Sequence, residues 1–156
     1  MKIKSVKGIV EEIKSVDGDS AVTKGMILAI FETEKDLRFN HGVKTVADFD
    51  KVIVAMNRAY GIAEDKGMPR IRSIHDAFIE LRVSRPGLGI SEEGMRFLVK
   101  EDLIPHISVG KRSFVALECF DPPYCEKFVQ YDYCQGKKAK RDAVLNELLQ
   151  KKGLAK

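Results

Sequence analysis

The chain repeats itself at a spacing of 68 residues over almost fifty positions, and this repeat constrains the fold more than any other feature. Shifting the sequence by 68 places Lys2 on Arg70 and runs on without a gap to the shared turn glycines, Gly42 and Gly110. Two apolar stretches coincide on the way. Their matched positions are Val6/Ile74, Ile9/Ala77, Val10/Phe78 and Ile13/Leu81, then Ile27/Met95, Ile30/Leu98 and Phe31/Val99. Matched periodicity with a matched turn is typical of a duplicated supersecondary unit, so two copies are predicted.

The second copy has the clearer pattern. Four apolar residues at i, i+3, i+4 and i+7 predict one helix face: Ile74, Ala77, Phe78 and Leu81. Pro86 and two glycines then break that helix, and Ser91 can cap a second one that buries Met95, Leu98 and Val99. After Pro105 the residues alternate, turn at Gly110-Lys111-Arg112 and alternate again, which predicts a β-hairpin with two cations at its tip.

This order of elements resembles the excisionase-like winged helix-turn-helix modules of phages and conjugative elements. The resemblance covers about fifty residues, from Arg70 to Glu118, and its most telling part is SEEGMRFLVKEDLIPHISVGKRSFVALE. It implies that the helix beginning near Ser91 enters the major groove and that the hairpin is a wing lying on the DNA backbone. With the repeat, it implies an α+β fold, mostly α: two tandem winged helix-turn-helix units with a connecting helix and a C-terminal helix.

The predicted organisation has four parts. Residues 1–50 form a degenerate first unit, 51–69 the connecting helix, 70–118 the second unit and 119–156 an aromatic and basic extension. Asp48 can cap the connecting helix, which we expect to end near Gly67. Its apolar side favours packing within the chain, although a face for a second chain stays open; the residues are Phe49, Val52, Ile53, Met56 and Tyr60.

The extension carries aromatic rings and then a basic helix start after Gly136. The aromatic side chains cover the second unit or, alternatively, stack on nucleobases; they are Tyr124, Phe128, Tyr131 and Tyr133. The helix has a leucine-rich stripe over residues 144–149. Cations at a helix N-terminus oppose the macrodipole, so they indicate either a phosphate backbone or acidic partner nearby or, as is commoner, the solvated start of an ordinary packed helix.

Positive charge grows along the chain, although the net charge is only +4. Residues 1–68 hold eleven Lys or Arg against eleven Asp or Glu, 69–118 hold eight against seven, and 119–156 hold eight against five. The local placement of cations therefore indicates more than their sum.

The second unit supplies most of the candidate DNA contacts. Arg96 and Lys100 lie four residues apart, off the apolar face of the second helix, and either touch DNA or pair with neighbouring glutamates. The glutamates at the helix start favour the helix dipole but face phosphates. The candidate nucleic-acid-binding residues of this unit are Arg70, Arg72, Ser91, Glu92, Arg96, Lys100, Lys111 and Arg112.

The first unit and the extension supply a weaker set. The first unit has acidic residues late in its second helix, and Gly25 lowers that helix's propensity by about 1 kcal/mol relative to alanine. Base reading by this unit is therefore in doubt. The candidate contacts here are Lys24, Arg38 and Lys44, followed in the extension by Lys137, Lys138, Lys140 and Arg141.

No catalytic signature accompanies these patterns. The phosphate-binding glycine loops and the H-E-x-x-H motif are missing from the sequence, and the three histidines are scattered. Cys119, Cys125 and Cys134 lack the spacing of a zinc site, so reduced thiols are expected. We expect no enzyme, no metal, no cofactor and no membrane span.

The predicted function is that of a double-stranded DNA-binding protein of a phage or mobile element, acting in the bacterial cytoplasm at the nucleoid. The resemblance implies an excisionase-like architectural factor or a small transcriptional regulator, with a recombinase or other protein as a further partner. Either a pseudo-dimeric monomer or a homodimer fits. The alternative is an element-borne anti-defence protein, similar to anti-CRISPR proteins, that uses the winged-helix scaffold to bind a protein or a guide RNA.

Overall fold

A computed structural model describes residues 2–42, 44–121 and 124 of the chain. Within these ranges the fold is α+β, with five α-helices and two three-stranded antiparallel sheets. The first half contains β1 (Ile3–Ser5), α1 (Val6–Val16), α2 (Lys24–Thr33), β2 (Arg38–His41), β3 (Lys44–Asp48) and α3 (Phe49–Ala59). The second half contains β4 (Ile71–Ser73), α4 (Ile74–Ser84), α5 (Glu92–Lys100), β5 (Ile107–Val109) and β6 (Arg112–Ala116).

The two halves are repeated α/β units. The bounds of β1, α1 and β3 become those of β4, α4 and β6 when 68 is added. The sheets have the same order, β1-β3-β2 and β4-β6-β5, and the same register, since Phe39 faces Val46 where Ile107 faces Phe114. The repeat predicted from apolar spacing is therefore present in the described fold.

Each repeat forms its helices for the same local reasons. The hydroxyls of Ser5 and Ser73 cap α1 and α4, and those of Thr23 and Ser91 cap α2 and α5. The predicted apolar faces are buried: Ile74, Ala77 and Leu81 on α4, and Met95, Leu98 and Val99 on α5. The hairpin of the second repeat turns at Gly110, whose positive φ of 61° suits a glycine.

The connecting helix is shorter than predicted, since α3 begins at Phe49 and ends at Ala59. The expected end near Gly67 is wrong because a Schellman motif ends the helix at the sequence Tyr60-Gly61-Ile62. Gly61 has a φ of 67° and its N–H bonds to the Arg58 carbonyl, while the Ile62 N–H bonds to the Asn57 carbonyl. The apolar residues of α3 are buried inside the chain, as predicted from their spacing.

The two repeats share one hydrophobic core. The backbone N–H of Ala21 donates to the carbonyl of Ile71 at 2.9 Å, and the Tyr60 hydroxyl donates to the carbonyl of Phe114 at 3.1 Å. In addition, α2 of the first repeat packs against β5 of the second. The two repeats therefore pack against each other and are not separate domains joined by a linker.

Candidate nucleic-acid interface

A basic cleft of about 460 Å³ opens on the second repeat, between the start of α4, the outer side of α5 and the hairpin β5–β6. Its wall carries the side chains of His75, Arg96, Lys100, Lys111 and Arg112. Residues from three separate elements thus converge on one concave surface. Four of the predicted DNA-contacting residues lie together here.

The local fold of α5 explains how two of these cations reach the cleft. The Ser91 hydroxyl accepts a hydrogen bond from the Gly94 N–H at 2.9 Å, which starts the helix. Met95, Leu98 and Val99 face the core, so Arg96 and Lys100 project from the opposite side as an i, i+4 pair. The hairpin then brings Lys111 and Arg112 to the same opening, because its turn falls at Gly110.

Three of the cleft cations have no ion-pair partner among the described residues: Lys100, Lys111 and Arg112. The guanidinium of Arg112 lies 5.2 Å from the centroid of the Phe114 ring, which positions it without neutralising it. By contrast, Arg58, Arg70 and Arg85 each bind a carboxylate. Unpaired cations gathered in a cleft concentrate positive potential there, and such a surface attracts anions.

Glu92 is the acidic residue that binds two side chains of the cleft wall. It binds His75 on one side and the guanidinium of Arg96, at 3.2 Å, on the other. The hydrogen bond from His75 lowers the pKa of Glu92, and the contact with Arg96 acts in the same direction. The carboxylate therefore stays ionised at neutral pH and orients Arg96 along the rim of the cleft.

Two predicted contacts of the second repeat lie elsewhere. The Arg72 side chain is only 4% exposed; it binds Asp17 of the first repeat at 2.7 Å and Glu80 at 2.9 Å. It cannot reach a phosphate from this position, so its prediction as a DNA contact is wrong for the folded chain. Arg70 is more exposed, but Glu118 at 2.8 Å and Asp121 at 3.4 Å hold it near the end of the repeat, outside the residues that line the cleft.

The first repeat has no equivalent cluster of cations in its described part. Leu28 occupies the position of Arg96 and Glu32 that of Lys100, and both are exposed. The predicted contacts Lys24, Arg38 and Lys44 are also exposed. However, part of the α2 surface is covered by β5 of the second repeat, so α2 is less free to enter a groove than α5.

Of the predicted aromatic and basic residues of the extension, the structure describes Tyr124. Its hydroxyl accepts a hydrogen bond from the Ala63 N–H at 3.0 Å, and Lys66 Nζ lies 5.8 Å from its ring centroid. This ring packs on the segment after α3. The other predicted aromatic and basic residues of the extension lie outside the described residues, as does the predicted C-terminal helix: Phe128, Tyr131, Tyr133, Lys137, Lys138, Lys140 and Arg141.

A second cleft, of about 490 Å³, lies between the repeats and includes residues of α2, the end of α3 and the start of β5. Its polar groups already have partners. Arg58 binds both Glu34 and Glu64, and Nδ1 of His106 donates to the Ile104 carbonyl at 3.0 Å. Its wall therefore lacks the unpaired charges that distinguish the basic cleft.

Other chemistry has little support in the described part of the chain. No three His, Cys, Asp or Glu side chains come together there to hold a metal ion. Burial raises the pKa of the Cys119 thiol to about 12, so this cysteine is a weak nucleophile. Over the same residues, no helix has the length and apolar character to cross a bilayer.

Sequence reasoning missed His75 as a cleft residue and Gly25 as an interface residue. His75 follows the cap of α4, and the packing of α4 on α5 brings it to Glu92. The sequence did offer a signal for Gly25, because a glycine inside a predicted helix often allows another segment of the chain to approach closely. Comparison of the chain with protein-family models, with curated proteins and with solved structures found no match.

Proposed function

We propose that this protein binds double-stranded DNA through the basic cleft of its second repeat. In this proposal the repeat acts as a winged helix-turn-helix unit, with α5 in the major groove and the β5–β6 hairpin as the wing on the backbone. The protein serves as an excisionase-like architectural factor or a small transcriptional regulator of a phage or mobile element, and it performs no catalysis.

The observation that carries this proposal is the convergence of Arg96, Lys100, Lys111 and Arg112 on one cleft, three of them without an ion-pair partner among the described residues. Packing gives no reason to gather uncompensated cations. A phosphate backbone does, because each cation that neutralises a phosphate releases condensed counterions. The major groove is wide enough to admit the exposed side of an α-helix such as α5.

Each cleft residue has a specific role in the proposed complex. Lys100, Lys111 and Arg112 contact phosphates and position the protein on the duplex. Arg96 is held by Glu92 at the first turns of α5 and reaches the O6 and N7 atoms of a guanine. Glu92 accepts a hydrogen bond from a cytosine N4 amino group. This contact contributes to sequence preference and not to overall affinity for DNA.

The direct test is fluorescence anisotropy of labelled duplexes, random and candidate-site, over roughly 50 to 300 mM salt. With the three phosphate contacts assigned to the cleft, the slope of log affinity against log salt should be about −3 or steeper. Tight binding with this slope and a surviving preference for one sequence supports the proposal. Absence of binding at the lowest salt rejects it.

The double substitution Arg96→Ala with Arg112→Ala should weaken duplex binding at least tenfold. It removes one base contact and one phosphate contact from opposite sides of the cleft. Arg38→Ala with Lys44→Ala removes two exposed cations from the hairpin of the first repeat and serves as the matched control. Equal losses in the two variants would show that the cleft has no special role.

The substitution Glu92→Gln should raise the affinity for random duplex about threefold and reduce the preference for the best site. It removes a negative charge beside the phosphates, but it also removes the ionised acceptor for cytosine. Glu101→Gln, at the other end of α5, controls for the loss of one acidic charge. Unchanged sequence preference after Glu92→Gln would exclude Glu92 from base reading.

The second candidate function is binding of a protein or a guide RNA, as in the anti-defence alternative. It is favoured by Leu28 and Phe39 of the first repeat, which are 46% and 47% exposed on surfaces where a DNA reader would carry cations. Stoichiometric capture of such a partner, together with no duplex binding, would select it.

A further inference from the structure

A close contact between the repeats joins Gly25, in the first turn of α2, to Val109, at the end of β5. A Cβ added to Gly25 would lie 2.8 Å from Cγ1 of Val109, closer than side-chain atoms normally pack. Glycine is unfavourable in a helix relative to alanine, and this position has no positive φ that would require it. Gly25 therefore allows the hairpin of the second repeat to lie against α2.

The strand held in this way has little support of its own. β5 is three residues long and lies at the edge of its sheet, where it pairs only with β6. A short edge strand of a small sheet gains stability from packing on another element. The cations at the hairpin tip, Lys111 and Arg112, follow Val109 within three residues, so a shift of Val109 moves them as well.

Among the residues described, the hairpin of the first repeat lacks this support, and one of its apolar side chains is more exposed as a result. Phe39 of β2 occupies the position of Ile107 in β5, opposite Val46 as Ile107 is opposite Phe114. No helix of a neighbouring repeat packs on β2 in the described structure, and Phe39 is about half exposed. Ile107 is more buried than Phe39, beside α2.

From this asymmetry we infer that the first repeat is a brace: α2 positions the hairpin of the second repeat for DNA binding, and Gly25 and Val109 are positioning residues that touch no DNA. The inference rests on the proposed function for its consequence but on the contact between α2 and β5 for its mechanism. The tandem then has one DNA reader and one support, rather than two readers of two half-sites.

The test compares Gly25→Ala, Val109→Ala and the double variant in the full chain. Gly25→Ala should weaken duplex binding about tenfold, because the new methyl group pushes the hairpin and its two cations away from the groove. Adding Val109→Ala removes the Cγ1 methyl group with which the new Cβ at position 25 would collide. The double variant should therefore recover most of the affinity. Gly18→Ala, where an added Cβ meets nothing within 4 Å, is the matched control.

A double-mutant cycle separates positioning from loss of stability. In a chain that already carries Lys111→Ala and Arg112→Ala, Gly25→Ala should produce no further loss of affinity, since the displaced cations are gone. An equal loss in both backgrounds overturns the positioning role. If Gly25→Ala alone fails to fold, recovery of fold and binding in the double variant with Val109→Ala is the deciding result, and no recovery overturns the inference.

Amide hydrogen exchange of β5 and β6 provides a readout that needs no DNA. Gly25→Ala should accelerate exchange in the hairpin, and Val109→Ala should reverse the change. Wild-type protein that fails to bind DNA while its hairpin responds in this way rejects the proposed function but keeps the brace. Wild-type binding with affinity and exchange both unaffected by Gly25→Ala rejects the brace but keeps the proposed function.

Discussion

Exchanging two residue pairs between the repeats should reduce affinity for the preferred DNA site about 100-fold, with no change in composition or net charge. The exchange combines Arg96→Leu and Lys100→Glu on α5 with Leu28→Arg and Glu32→Lys on α2. It gives each helix the residues that the other repeat carries at the same position. The loss follows because a base contact and a phosphate contact leave the cleft, and a carboxylate takes the place of a cation.

Anisotropy titrations of the exchange variant measure both the affinity and its salt slope, which should become shallower by about 1, because one phosphate contact is lost. The two half-exchanges are the controls. Arg96→Leu with Lys100→Glu should reproduce the full loss, whereas Leu28→Arg with Glu32→Lys should create no new preference, because β5 covers part of α2. An exchange variant that still prefers the site would place the DNA reader outside α5.

The substitution Arg72→Ala should destabilise the chain by about 3–5 kcal/mol. Arg72 is buried and joins Asp17 of the first repeat to Glu80 of the second. Removing it leaves the partly buried carboxylate of Asp17 without its partner and a gap between the repeats. Thermal unfolding followed by circular dichroism should show a midpoint roughly 10 °C lower.

Arg58 is the matched control for Arg72. It also binds two carboxylates, those of Glu34 and Glu64, but its side chain is 52% exposed. Solvent screens such exposed pairs and rehydrates the carboxylates when the arginine is removed. Arg58→Ala should therefore cost a small fraction of the Arg72→Ala loss, and equal losses would mean that burial does not determine the strength of these ion pairs.

Local sequence patterns predicted most of the repeated unit. The helix faces, the caps at Asp48 and Ser91, and the turn at Gly110 all depend on residues within a few positions of each other, and the structure has them. The early end of α3 could also have been predicted from the sequence, because a glycine followed by an apolar residue commonly ends a helix. A longer apolar pattern led instead to the expected end near Gly67.

The features that were not predicted depend on contacts between the repeats. Nothing near Arg72 in sequence indicates that its charge will meet Asp17, 55 positions earlier. The same holds for Gly25 and Val109, and for His75 and Glu92, whose proximity follows from helix packing. The cations of the cleft were predicted, but their convergence and their lack of partners required the fold.

The ion pair between Arg72 and Asp17 has a consequence for any attempt to transplant the proposed DNA-binding surface. A cut at the repeat boundary near residue 69 would leave Arg72 with Glu80 but without Asp17, and β5 without α2. Residues 70–118 alone should be a poor graft. A graft of the proposed DNA-binding surface should keep both repeats, because the contacts between them hold Arg72 and β5 in place.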